Sequence, residues 1–158
     1  MGGNGFSEDF PMARLFRHSP LNSIWEGSGN VIALDILRGI KAMPILLQEI
    51  KLCMGADSCV DAYIKDLEAA LYAMAKDPEP HAPHNQRAAR NIADRLAIAM
   101  QCSFLLRYGD PLIAKGYIAS RLAATSTAQG VNYGSHVFDA SLCQHIIDRN
   151  MPRFTPMA

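Results

Sequence analysis

No run of apolar residues in the sequence reaches the roughly 18 needed to cross a bilayer as a helix. The chain opens on polar, glycine-rich residues, not on a charged and then apolar signal-peptide pattern. A cytoplasmic location with no membrane partner is therefore the expectation. Charge of one sign is lacking as well: 15 Lys+Arg meet 15 Asp+Glu, so no global field draws the chain toward nucleic acid or lipid. The four cysteines, Cys53, Cys59, Cys102 and Cys143, form no C-x-x-C pair and all fall in helical patterns. Buried free thiols are the expectation. The alternation that marks a strand is missing throughout, and there is no internal repeat or low-complexity tract.

What is present is an ordinary globular composition, 49% hydrophobic and 19% charged over 158 residues. That length suits one domain, or one domain with part of another. The two halves differ in charge. Residues 1–79 hold 7 basic and 11 acidic side chains, and residues 80–158 hold 8 and 4.

The chain reads as helices separated by punctuation, an all-α helical bundle with short loops. In "GNVIALDILRGIKAM" the spacing of Val31, Leu34, Leu37 and Ile40 predicts one buried face over residues 30–42. Ser28 is read as its N-cap and Pro44 as its stop. A short helix from about 44 to 54 should close at Gly55. Ser58 and Asp61 form a capping-box pattern ahead of the stripe Val60, Tyr63, Ile64, Leu67, Leu71 and Met74. After the proline-rich "DPEPHAPH", a long helix from about Asn85 to Arg107 should turn Ile92, Leu96, Met100 and Phe104 inward. In "YGDP", Gly109 ends that helix, Asp110 caps the next and Pro111 fits its first turn. That helix is expected to reach about Ala128, with a last one near 136–149 and a fraying tail.

Several constellations could carry chemistry. "GGNG" could bring backbone close to a phosphate or be a plain turn; it is not G-x-G-x-x-G and no strand precedes it. Glu26 follows Ile24 and Trp25 and precedes a Gly-Ser-Gly turn. It could interact with the helix N-terminus ahead of it, or serve as a general base among apolar neighbours. His81 and His84 lack further ligands, so a solvated loop and no metal site are expected. Met43, Met54, Met74 and Met100 read as core fillers. Between residues 87 and 121, Arg87, Arg90, Arg95, Arg107, Lys115 and Arg121 face only Asp94 and Asp110. That excess reads as a solvated face or as a phosphate-contacting surface.

The stretch "GGNGFSEDFPMARLFRHSPLNSIWEGSGNV" resembles the C-terminal signature of the acyl-CoA dehydrogenase flavoproteins. It has a glycine pair, Asn-Gly-aromatic, acidic residues, two arginines, and Ile-aromatic-Glu-Gly-Ser. The resemblance covers about the first 40 residues. The continuation into more than a hundred further helical residues is similar to the alkylation-response branch of that family.

The resemblance implies FAD as cofactor, an acyl-CoA as substrate and a homo-oligomer. It implies that Glu26 takes the α-proton of the thioester. It implies that Gly2, Gly3 and Gly5 approach the flavin, commonly that of a neighbouring subunit, and that Ser28 and Asn30 stand near it where Thr and Gln are usual. Trp25 stands where Tyr is usual and would narrow the substrate pocket. Residues 1–43 would then belong to the dehydrogenase bundle, 44–150 to an added helical domain and 151–158 to a tail. Because most flavin and acyl-CoA contacts lie elsewhere in that family, the chain alone is expected to be inactive. The alkylation-response branch adds an alternative: a module that holds duplex DNA through Arg38, Arg87, Arg90 and Arg95, with a weak or vestigial dehydrogenase site. A third reading gives the added helices to subunit assembly.

Overall fold

A computed structural model describes residues 1–122 and 137–151. Among these residues there are seven α-helices and no strand. They are α1 (Pro11–His18), α2 (Gly29–Arg38), α3 (Met43–Ile50), α4 (Ser58–Lys76), α5 (Pro83–Tyr108), α6 (Pro111–Leu122) and α7 (Ala140–Asn150). No described helix is long and apolar enough to cross a membrane.

One core joins α2 to α6. Its centre is the α4 stripe Val60, Ile64, Leu67, Leu71 and Met74, with Tyr63 half-buried beside it. Ile92, Leu96, Ala99 and Cys102 of α5 close over it. α5 is the central helix: α2 lies along its first half, and α4 and α6 lie against it. With neighbours on several sides, its buried face is wider than one stripe and takes in Ala89, Ala99, Cys102 and Ser103. Met100 is half-buried, and Phe104 lies outside at 45% exposure.

The start of α2 also departs from expectation. The buried residues are Ala33, Leu37 and Ile40, with Leu34 half-buried, and Val31 is 49% exposed. Small side chains at Ala33 and Ala89 face the α2–α5 contact, where helices can approach closely. Val31 instead covers the Gly27 turn, 3.5 Å from the point where a Cβ on residue 27 would stand. The helix ends at Gly39, whose N–H donates to the Asp35 carbonyl at 3.1 Å, before Pro44 is reached. Pro44 sits in the first turn of α3, where no intrahelical N–H is required. It opens a helix and does not stop one.

At α4 the cap is Asp57, whose carboxylate accepts from Cys59 N at 2.9 Å and Val60 N at 3.0 Å. Asp61 reaches back to the N–H of Gly55 at 3.0 Å and closes the loop. Gly55 has φ +89, a conformation that favours glycine. The Pro-rich turn before α5 is held by Asp77, which accepts from Asn85 Nδ2 at 2.8 Å and lies 2.6 Å from His84 Nε2. His84 thus belongs to the first turn of a helix and not to a loop.

Asp110 caps α6 as expected, accepting from Leu112 N at 2.8 Å. α7 begins at Ala140 and not near 136, with Asp139 as its cap. The expected extension of α6 to Ala128 and the fraying tail beyond 151 lie outside the described residues. Of the four thiols only Cys53 and Cys102 are buried, and Cys59 and Cys143 are exposed. Burial pushes the Cys102 thiol up to about 12, so it is inert as a nucleophile. Met74 is a core filler and Met43 is half-buried, whereas Met54 is exposed.

Candidate functional site

Glu26 is the described non-glycine residue with a left-handed backbone, at φ 56. Gly27 follows at φ 112, so the chain reverses sharply just before α2. No carboxylate lies in the first turn of α2, and Ser28 stands at the N-cap without a side-chain capping bond. Among the described residues Glu26 has no hydrogen-bond or ion-pair partner, so it makes no capping hydrogen bond to α2.

Its apolar neighbours do not enclose it. Trp25 is 61% exposed and Ile24 is exposed as well. The described residues therefore present Glu26 and Trp25 on an open surface, and the dry surroundings expected of a base are not built by them.

Gly2, Gly3 and Gly5 form a tight 3₁₀ turn, with Gly2 at φ +56. No atom lies within 4 Å of the place a Cβ would take on Gly2 or Gly3, so the backbone is open to close approach. Arg17 of α1 forks onto Glu8 at 2.6 and 3.0 Å and pins this turn against the helix. That pair holds the Glu8 carboxyl below its ordinary range, the guanidinium hydrogen bond contributing most. An apolar hollow of about 800 Å³ opens between turn and helix, lined by Gly2, Gly5, Phe6, Met12 and Phe16.

The four candidate arginines differ in their partners. Arg38 pairs with Asp35 on its own helix. Arg95 is largely covered, reaches Asp66 at 2.5 Å and lies over the Tyr63 ring. Arg87 and Arg90 do come together, on the first half of α5, in a groove of about 470 Å³ shared with Asn30 and Gln86. This meeting of Asn30 with two arginines nearly sixty residues later has no signature in the sequence, since it depends on how α2 lies along α5. Among the described residues no group of three His, Cys, Asp or Glu is placed to hold a metal ion.

Residues 1–41, which carry Glu26, the glycine turn, Ser28 and Asn30, match the family described as acyl-CoA dehydrogenase, C-terminal domain. Over 121 residues the chain is 29% identical to the putative acyl-CoA dehydrogenase AidB of Escherichia coli (strain K12). That alignment covers 74% of this chain and 20% of the relative, so the chain spans about a fifth of that protein's length. Over 37 residues it is 46% identical to acyl-CoA dehydrogenase family member 11 of Caenorhabditis elegans, covering 23% of this chain and 6% of the relative. No solved structure matches the chain. Residues 1–41 are thus similar to the C-terminal domain of acyl-CoA dehydrogenases, and the all-α helices among the described residues agree with that bundle.

Proposed function

We propose that this chain is the C-terminal part of a FAD-dependent oxidoreductase that introduces a double bond between Cα and Cβ of an acyl-CoA thioester. The observation that carries the reading is Glu26 at φ 56, unpartnered and exposed in the turn before α2, within the matched segment. A non-glycine residue in that conformation costs roughly 1 kcal/mol or more, and such strain gathers at functional sites. The Glu26 carboxylate is exposed and has no partner among the described residues.

In this reading Glu26 accepts the α-proton of the thioester on its carboxylate. FAD, when bound, supplies the acceptor for the β-hydride, and the product is the trans-enoyl thioester. Ser28 and Asn30, both exposed at the start of α2, and the open backbone of Gly2, Gly3 and Gly5 fit such a group. Trp25 forms one wall of the acyl pocket. The remaining walls, which must exclude water for a carboxylate to remove so weak an acid, come from outside these residues or from a second subunit of a homo-oligomer. The 158-residue chain alone is then inactive. Residues 1–43 complete the dehydrogenase bundle, and 44–150 form an added helical domain in a cytoplasmic protein.

The test uses a longer protein that contains this chain. Anaerobic addition of a short branched and a straight-chain acyl-CoA should bleach the flavin absorbance near the visible maximum. A purified protein without flavin, or one whose flavin no acyl-CoA reduces, would overturn the reading.

A further inference from the structure

Apart from Asn30, the residues of the groove between α2 and α5 are ones that the dehydrogenase reading does not use. Arg87 and Arg90 lie three residues apart on α5, so both guanidinium groups project from one helix face. Neither Asn30, Gln86, Pro83 nor Ala33, which line the groove with them, carries a charge, and no carboxylate lines it. Arg87 is exposed and has no partner among the described residues. Arg90 gives its Nε to Asp94, at 3.3 and 3.4 Å to the two carboxylate oxygens. That side-on pairing leaves both Nη groups. One of them stands where a Cβ on Gly29 would be, so glycine at 29 makes the room that Arg90 occupies. Two like charges on one face repel each other, and Asp94 offsets only one of them.

We propose that this groove binds a phosphoryl anion through Arg87, Arg90 and Asn30. Guanidinium forks match tetrahedral oxyanions in geometry, and hydrogen bonds between charged partners are the strong ones. Asn30 supplies a neutral donor from the opposite helix. A volume of about 470 Å³ has room for a diphosphate with an attached sugar. The ligand class is a diphosphate, either free or borne on a nucleotide. Arg87 and Arg90 lie outside the matched residues 1–41 and only Asn30 is shared with the dehydrogenase reading, so the charged part of the site belongs to α5 and stands whether or not that reading holds.

Titration calorimetry of the 158-residue chain at low ionic strength, with inorganic pyrophosphate and separately with ADP, tests the proposal. At least one should bind. Arg87→Gln with Arg90→Gln should weaken it about tenfold or more, since two charge-assisted contacts are lost. Gly29→Ala keeps both charges but displaces the Arg90 guanidinium, and should weaken binding while helix content by circular dichroism is preserved. Lys65→Gln, on the exposed face of α4, should leave binding unchanged. Tighter binding of ADP than of pyrophosphate identifies a nucleotide as the source, and equal binding identifies the phosphoryl group alone. Absence of binding by both, or binding unaltered in the folded Arg87→Gln/Arg90→Gln and Gly29→Ala variants, overturns the proposal. So does binding of duplex DNA through these arginines when neither small anion binds.

Discussion

His145 of α7 places its Nε2 2.8 Å from Oδ2 of Asp110, the residue that caps α6, and Arg149 stands 3.8 Å from the same oxygen. One carboxylate thus both starts α6 and ties down α7. The His145 hydrogen bond is the main cause that holds the Asp110 carboxyl below its ordinary range, with the Ile113 and Leu112 amides adding to it. A carboxyl depressed in the folded state contributes stability that is present above its unfolded pKa and lost as pH falls through its folded one. The contribution should therefore disappear on acidification below the ordinary carboxylate range. Asp110→Asn should lower the melting temperature at neutral pH and flatten the acid limb of the curve. Thermal melts of both proteins between neutral pH and pH about 2 would measure this.

The cap of α4 offers a comparison of adjacent residues. Asp57 satisfies two first-turn amides, whereas Ser58, the residue its sequence position suggests, already lies inside the helix. Asp57→Ala should cost about 1 kcal/mol, and Ser58→Ala should be close to neutral or slightly stabilising. Equilibrium urea unfolding of the two variants distinguishes them.

Ser103 is fully buried in α5, and its Oγ has no hydrogen-bond partner among the described residues. A buried hydroxyl without a partner keeps its desolvation cost, and alanine is the better helix former. Ser103→Ala should raise stability by about 1 kcal/mol. A lowered urea midpoint would show that the hydroxyl has found a partner, such as a buried water.

Helix type and the α4 stripe were legible because burial there follows a period of 3.6 on a helix with one covered face. The errors arose where tertiary contacts choose among candidate faces. Val31 fits the period of α2, but α5 approaches on the Ala33–Leu37–Ile40 side, so the small residue is buried and the valine covers a turn. Phe104 fits the period of α5, yet the central position of that helix puts Cys102 and Ser103 inside. Pro44 was ambiguous in kind, since a proline both ends helices and begins them. For the candidate site, the residue types around Glu26 could be read directly from "NSIWEGSGNV". The positive φ of Glu26 could not, nor could the approach of Arg90 to Gly29, because each depends on the fold of the chain around it.

The role of Glu26 is the central claim. Glutamine preserves the volume and hydrogen bonding of glutamate but cannot accept a proton at neutral pH. In a longer protein containing this chain, Glu26→Gln should retain the fold and the bound flavin. It should slow flavin reduction by an acyl-CoA by about a hundredfold or more, with little change in substrate affinity, because the proton moves only on the way to the transition state. Stopped-flow absorbance of the flavin, with wild type and variant under saturating acyl-CoA, measures this directly. Slow reduction in the variant with unchanged substrate affinity is the predicted result. Equal reduction rates in the two proteins would contradict the assignment of Glu26 as the base.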